Sequence, residues 1–368
     1  ASLHLQAQAA PVNWPSVATK LVERMQLTRG ERVFLLGVPG QSDSLVSLLR
    51  TAIRNAGGVD LGALSTTSEE PIAWATEFTR ASHGRTGASL EALLHEADLG
   101  VMLPGATTTD APYAAMQAVL RSGKGRTIHF HWAGAYGMDG TELPVDNVRS
   151  SLYERVLLET DYAALAGAQR AIDAAMRGRT VRVTTPEGTD ISFEIGDRQV
   201  TKQDGDVSLA RANQARNLID REVELPAGAI RVAPVESSVN GAIAFPPSVW
   251  GGERVEGLVM TFRAGRVVSY QVQHGRAGVE RELAAGGPAT RAFREFALGL
   301  NPLLAIPQSG ERWIPYYGYG AGVVRLSLGD NTELGGTVSG GYVRWNFFPD
   351  ATVRVGNDIW VQDGRLRR

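Results

Sequence analysis

RVFLLGVPGQSDSLVSLLRTAIRN, residues 32–55, holds one complete strand–turn–helix unit. Arg32–Val38 is a short apolar run that reads as a buried strand, and Ser44–Asn55 carries Leu, Val and Ile at helical spacing. The Gly37–Ser44 segment between them offers backbone N–H groups at a helix start, where an anion can sit. It has neither a G-x-G-x-x-G pattern nor a Gly-Lys-Ser/Thr ending. It therefore reads as a turn in which Ser42 or Asp43 caps the helix.

The same grammar extends outward. Val59–Leu64, Asp98–Leu103 and Thr127–Trp132 read as further buried strands, and Ser89–His95 and Ala111–Arg121 as helices between them. Strands alternating with helices imply right-handed crossovers and a mostly parallel sheet. In such α/β domains ligands collect beyond the C-terminal ends of the strands. His129 and His131, two apart in a strand, share a face and make half of a metal site. Asp139 and Glu142 follow in a loop, but no third ligand is evident, and polar residues at a strand end are the plainer reading.

Arg149–Arg177 is alanine-rich and helical in pattern, ending at Gly178. Beyond it the grammar changes to short strands punctuated by Gly, Pro and Asp: Val181–Thr184, Asp190–Ile195, Ile230–Ala233, Leu258–Arg263, Arg266–Val272, Val323–Leu328 and Thr352–Val355. Pro288–Leu298 reads as a helix among them. The expected fold is an α/β domain with a mostly parallel sheet over 1–178, including an N-terminal extension and a linker helix. An α+β domain with mainly antiparallel sheet follows over 179–368. A chain of 368 residues suits two such units, since single cores stop growing near ~250–300 residues.

Composition excludes several function classes. Lys and Arg number 37 against 39 Asp and Glu, so no global field steers the chain to nucleic acid. No apolar run approaches the roughly 20 residues of a membrane-spanning helix. The chain has no cysteine, which removes disulfides, thiol catalysis and thiolate zinc sites together. Leu3–Pro11, LHLQAQAAP, contains an Ala-x-Ala pattern that reads as the trace of a cleaved secretory signal. Removal of an initiator Met before Ala1 is the alternative. The reading leans to export, periplasmic or extracellular, over the cytoplasm.

A series of motifs in the C-terminal half resembles the thermophilic metallo-aminopeptidases, the aminopeptidase T and aminopeptidase S family. They are RVTTPEGTD at Arg182–Asp190, Leu225-Pro226-Ala227-Gly228 with Ala233-Pro234 and Asn240-Gly241, Arg294–Asn301, and Leu328-Gly329-Asp330-Asn331 with Gly335-Gly336. Their order extends the resemblance over roughly Val17 to Leu366. It implies two divalent ions held by carboxylates and histidines, with a metal-bound water attacking the N-terminal peptide bond. At the family's ligand positions this chain has Ala229, Glu295, Arg325, Arg344 and Asn346. Arginine offers no lone pair and stays protonated, so Arg325 and Arg344 cannot ligate a cation.

The resemblance thus implies a degenerate site, with no metal cofactor expected. Arg325, Arg344, Glu295 and Trp345 become candidates for binding a peptide or an anionic small molecule. Arg325 and Arg344 should face Glu295 in an ion-pair network. The competing reading is a rearranged site for one divalent metal ion, built from Glu236, Glu295, Asp330, Glu333, His129 or His131, in an active aminopeptidase-like hydrolase. The favoured function is a non-peptidase homologue, leaning away from enzyme activity. It would bind a ligand or form assemblies, an extracellular structural protein included. Ala1–Pro15, with Leu3, Leu5, Val12 and Trp14, lies outside the family-like core, so a homo-oligomer in which this segment touches a neighbouring subunit is expected.

Overall fold

The computed structural model describes residues 11–367. Its first layer is a five-stranded parallel sheet. The spatial order is Glu222–Leu225, Arg126–Phe130, Leu99–Met102, Arg32–Gly37, Val59–Ser65. Alternating side chains of Arg32–Gly37 enter two cores. Val33 and Leu35 join Leu21, Leu45, Leu49 and Ile53 from the helices Trp14–Met25 and Asp43–Asn55. Phe34 and Leu36 join Leu90, Leu94, Met116 and Leu120 from Gly87–Leu94 and Ala111–Arg121. A strand buried on both faces has no polar side, which is why RVFLLG is a continuous apolar run.

Strand order reverses at Arg32–Gly37, whose neighbours are the second and third strands in sequence. The segment beside it is a turn, as read, but its side chains brace the turn and do not cap the helix: Val38 N–H donates to Ser42 Oγ and Gly40 N–H to Asp43 Oδ2, and Ser42 makes no side-chain bond to the helix N–H groups. The second half is mostly antiparallel, as its pattern implies. One sheet runs in the order Val343–Arg344, Val324–Gly329, Phe293–Gly299, Ala229–Val232, Thr201–Lys202, with Phe347–Phe348 also on Val324–Gly329. An eight-stranded sheet lies beside it, from Arg266–Gln271 at one edge to Arg365–Leu366 at the other.

Three other sequence readings change, and one strand was not read at all. Arg149–Arg177 is two helices, Asn147–Glu159 and Tyr162–Met176. Thr160 donates its hydroxyl back to Val156 O, and Asp161 caps the second helix through Ala164 N–H. Pro288–Leu298 is not a helix: a 3-10 turn over Gly287–Arg291 leads into the Phe293–Gly299 strand, every residue of which is buried. Thr127–Trp132 leaves the sheet after Phe130, so His131 stands just beyond the strand end. Glu222–Leu225, from the second half of the sequence, is the fifth strand of the first sheet.

Of the segment Ala1–Pro15, Leu3 and Leu5 lie outside the described residues. Val12 and Trp14 pack against the chain's own core, Trp14 with its ring 5.3 Å from that of Trp132.

Candidate functional site

Glu295 is the centre of the site. It projects from the middle strand Phe293–Gly299 and is 0% exposed. Register places Arg231, Ala297 and Arg325 side by side across three strands. The small Ala297 between the two arginines leaves both guanidinium groups room to converge on Glu295, two residues away. Arg231 Nε and Nη2 donate to Glu295 Oε1 and Oε2 at 3.3 and 2.9 Å. Arg325 Nε and Nη2 donate to Oε1 at 3.1 and 2.5 Å. Arg294 Nε lies 3.3 Å from Oε2 without the alignment of a hydrogen bond.

The network closes through two further carboxylates. Arg231 Nη1 reaches Glu224 Oε1 at 3.4 Å, Tyr319 donates its hydroxyl to Glu224, and Arg294 pairs with Glu333. Three guanidinium groups thus meet three carboxylates. Burial pushes the Glu295 carboxyl up, but Arg231, Arg325 and Arg294 outweigh that and hold it well below the usual carboxylate range.

Above this network is a cleft of about 430 Å³ between the two halves. One wall comes from loops after the parallel strands, Gly105–Thr108 and His131–Ala133, with Tyr113 and Glu224. Arg231, Tyr317, Arg325 and Trp345 form the other. It therefore occupies the C-terminal edge of the parallel sheet, as expected of such folds. Trp345, 37% exposed, lies over the Arg325 guanidinium at 5.1 Å and against the Tyr317 ring at 5.4 Å. Gly134 sits at φ +74°, and a Cβ there would meet the Tyr317 ring at 2.4 Å, so only glycine lets Tyr317 take this position.

His129 and His131 are neighbours, ring centroids 5.5 Å apart. His129 meets the Tyr113 hydroxyl and lies 3.5 Å from Glu222. That last contact is not an ion pair. Burial, reinforced by His131 and Arg231, pushes the His129 imidazole well below its usual value. Burial next to Glu333 and Glu224 pushes the Glu222 carboxyl up to about 8. In both groups burial thus favours the neutral form. His131 faces the cleft, its pKa lowered by burial and partly restored by Glu224. Its ring nitrogens have no hydrogen-bond partner among the described residues.

The other sequence candidates lie apart from this centre. Arg344 does not face Glu295: it pairs with Glu282 at 2.8 Å and stacks on Trp250 at 3.5 Å. Asn346 accepts from Arg344 Nε and donates to Leu326 O. Ala229 is packed with Tyr316 and Tyr319. Glu236 accepts from Thr337 N–H, Asn331 and Arg198. Asp330 accepts from the N–H groups of Thr332, Gly340 and Gly341. Asp139 and Glu142 are exposed residues of the Ala135–Leu143 hairpin, and neither bonds to a histidine.

Arg231, Arg294 and Glu224 were not singled out from sequence. The signal was there: a lone charged residue inside a strand such as AIRV or FREFALG must find a buried partner.

The dinuclear metal site that the resemblance implies does not fit these residues. The two Glu295 oxygens already accept from guanidinium groups, and permanent cations stand where dications would have to enter. Among the described residues no group of three or more His, Cys, Asp or Glu is placed to hold a metal ion, and no helix is long and apolar enough to cross a membrane.

Residues 166–311 match the model of the thermophilic metalloprotease family (M29). The fold itself is shared with solved structures over nearly the whole chain. It resembles AmpT of Thermus thermophilus over 96% of this chain and 99% of that one, with TM-score 0.58 and 14% identity. It resembles 2,5-dihydroxypyridine dioxygenase of Pseudomonas putida KT2440 over 97% and 98%, with TM-score 0.64 and 15% identity. No curated protein matches the sequence. The resemblance to the thermophilic metallo-aminopeptidase family read from the motifs is thus shown by the family match over residues 166–311, and the fold is shared with AmpT over nearly the whole chain.

Proposed function

We propose that this protein is a non-peptidase homologue of the thermophilic metallo-aminopeptidases, and that its inter-domain cleft binds a small ligand without a resident metal. The observation that carries the reading is Glu295, held by Arg231 and Arg325 where the family resemblance puts a metal-ligating glutamate. An ion-pair network does there what a bound cation would do, neutralising a fully buried carboxylate. Fold similarity does not oppose this, because one structural neighbour is named as a dioxygenase while the matching family model is one of metalloproteases, so the scaffold hosts unlike chemistries.

The ligand chemistry follows from the lining. Trp345, Tyr317 and Tyr113 offer flat apolar surface, and His131 offers a neutral ring nitrogen beside the Arg325 edge. A peptide end or a small molecule carrying a carboxylate suits these groups. Metal analysis of protein purified without chelator, together with an aminopeptidase assay, tests the reading. Substoichiometric metal and no hydrolysis are expected; one or two equivalents of zinc, cobalt or manganese bound through Glu295 would overturn it.

A homo-oligomer formed through the N-terminal segment would have to use Leu3 and Leu5, since Trp14 is already packed on its own chain. Light scattering of the full chain and of a chain lacking residues 1–10 checks this. A mass unaffected by the deletion refutes that contact.

A further inference from the structure

A second cavity, about 580 Å³, opens away from the cleft, between the end of the Ala111–Arg121 helix, the loop 215–221 and the Asp330–Glu333 turn. Four arginines line it, Arg121, Arg216, Arg221 and Arg294, against two acids, Asp330 and Glu333. Both acids are already engaged. Asp330 takes three backbone N–H groups and the Thr332 hydroxyl, and Glu333 pairs with Arg294. The positive charge of the wall is therefore not neutralised from within.

The remaining donors are under-used. Arg121 has no hydrogen bond or ion pair among the described residues. Arg221 donates only to Gly125 O. Arg216 donates to Asp197 O and comes no nearer than 3.9 Å to the fully exposed Asp197 carboxylate. One buried wall atom, Asn217 Nδ2, has no hydrogen-bond partner. It is a donor. A buried donor left unsatisfied costs about 1–3 kcal/mol, so what completes this wall is an acceptor, not another cation. The volume falls in the range of small-molecule sites, roughly 300–1,000 Å³.

We propose that this cavity is a binding site for a small polyanion bearing two or more carboxylate or phosphoryl groups, held by Arg121, Arg216 and Arg221 with Asn217 at its base. The cavity shares Arg294 and Glu333 with the Glu295 network, but it does not depend on what the cleft binds. It stands or falls separately from the reading of the metal positions.

Isothermal titration of the full chain with citrate and with pyrophosphate, in about 0.15 M salt to screen loose surface attraction, tests it. The expected result is saturable one-to-one binding of at least one probe, and which of them binds separates carboxylate from phosphoryl recognition. Arg121→Ala removes an exposed, unpaired guanidinium and should fold normally. Asn217→Asp keeps the acceptor used by Asp220 N–H and replaces the unpartnered donor with a negative oxygen. Each variant should weaken binding about tenfold or more, while Arg263→Ala on the eight-stranded sheet leaves it unchanged. No saturation by either probe overturns the proposal. So does binding that Arg121→Ala and Asn217→Asp leave intact, or that Arg263→Ala reduces equally.

Discussion

Replacing Glu295 with glutamine removes one negative charge and almost no volume from a buried cluster of three guanidinium groups and three carboxylates. The carboxylate accepts four hydrogen bonds from Arg231 and Arg325 and is fully buried. Arg231 can fall back on Glu224 and Glu333. Arg325 retains only the Tyr317 carbonyl, at 3.2 Å. Deleting one partner of a buried pair costs about 3–5 kcal/mol, and the glutamine Nε2 would also face the Arg231 donor. A loss of about 3 kcal/mol or more in urea unfolding is expected, or on the order of 4 °C by calorimetry.

The pH dependence has a definite sign. Glu295 is held below its unfolded value, near ~4.3, so its contribution is present above that pH and is lost as pH falls through the lowered folded value. The gap between wild type and Glu295→Gln should stay constant from neutrality to about pH 5 and close only in strong acid. Adding Arg325→Met to Glu295→Gln should recover part of the loss, because an apolar side chain needs no counter-charge. A Glu295→Gln protein within about 1 kcal/mol of wild type would show that the network is solvated, and the account of the site would fail.

Glu222→Gln should behave in the opposite way. Glu222 keeps its proton in the folded state up to about 8 but loses it near ~4.3 when unfolded, so wild-type stability falls as pH rises between those values. The variant should be matched to wild type near pH 4 and more stable at pH 8.5 in urea titrations; parallel curves would contradict a protonated Glu222. Arg344→Ala removes the Glu282 pair and the Trp250 stack, for a loss of about 2 kcal/mol. With Glu295→Gln it should add within about 0.5 kcal/mol, and a larger coupling would tie Arg344 to the Glu295 centre after all.

Much of the fold was legible because the first sheet is buried on both sides. RVFLLG and LGVM carry no polar face, and their flanking helices carry one apolar stripe each, so period and length agreed. The same property hid the Phe293–Gly299 strand. Its seven buried residues show neither strand alternation nor an exposed helical face, and the apolar spacing after Pro288 matched a helix equally well. The site was half legible. Glu295 and Arg325 could be paired by their places in the motifs, because adjacent strands bring them together. Arg344 could not be placed, since its direction is set by Trp250 and Glu282, far away in sequence. Arg231 was overlooked inside an apolar strand, although it donates two hydrogen bonds to Glu295 as Arg325 does. The split of Arg149–Arg177 rests on one local competition: Thr160 and Asp161 bond nearby backbone, ending one helix and starting another.

The Glu222–Leu225 strand pairs in parallel with Arg126–Phe130 at the edge of the first sheet. During synthesis, therefore, the N-terminal half leaves the ribosome with a bare hydrogen-bonding edge that only a segment nearly a hundred residues later can cover. A fragment ending near Gly178 should be sticky where the full chain is not. The two halves are joined at birth by a backbone ladder as well as by a linker, and gene-level dissection of this protein has to cut after residue 225 to respect it.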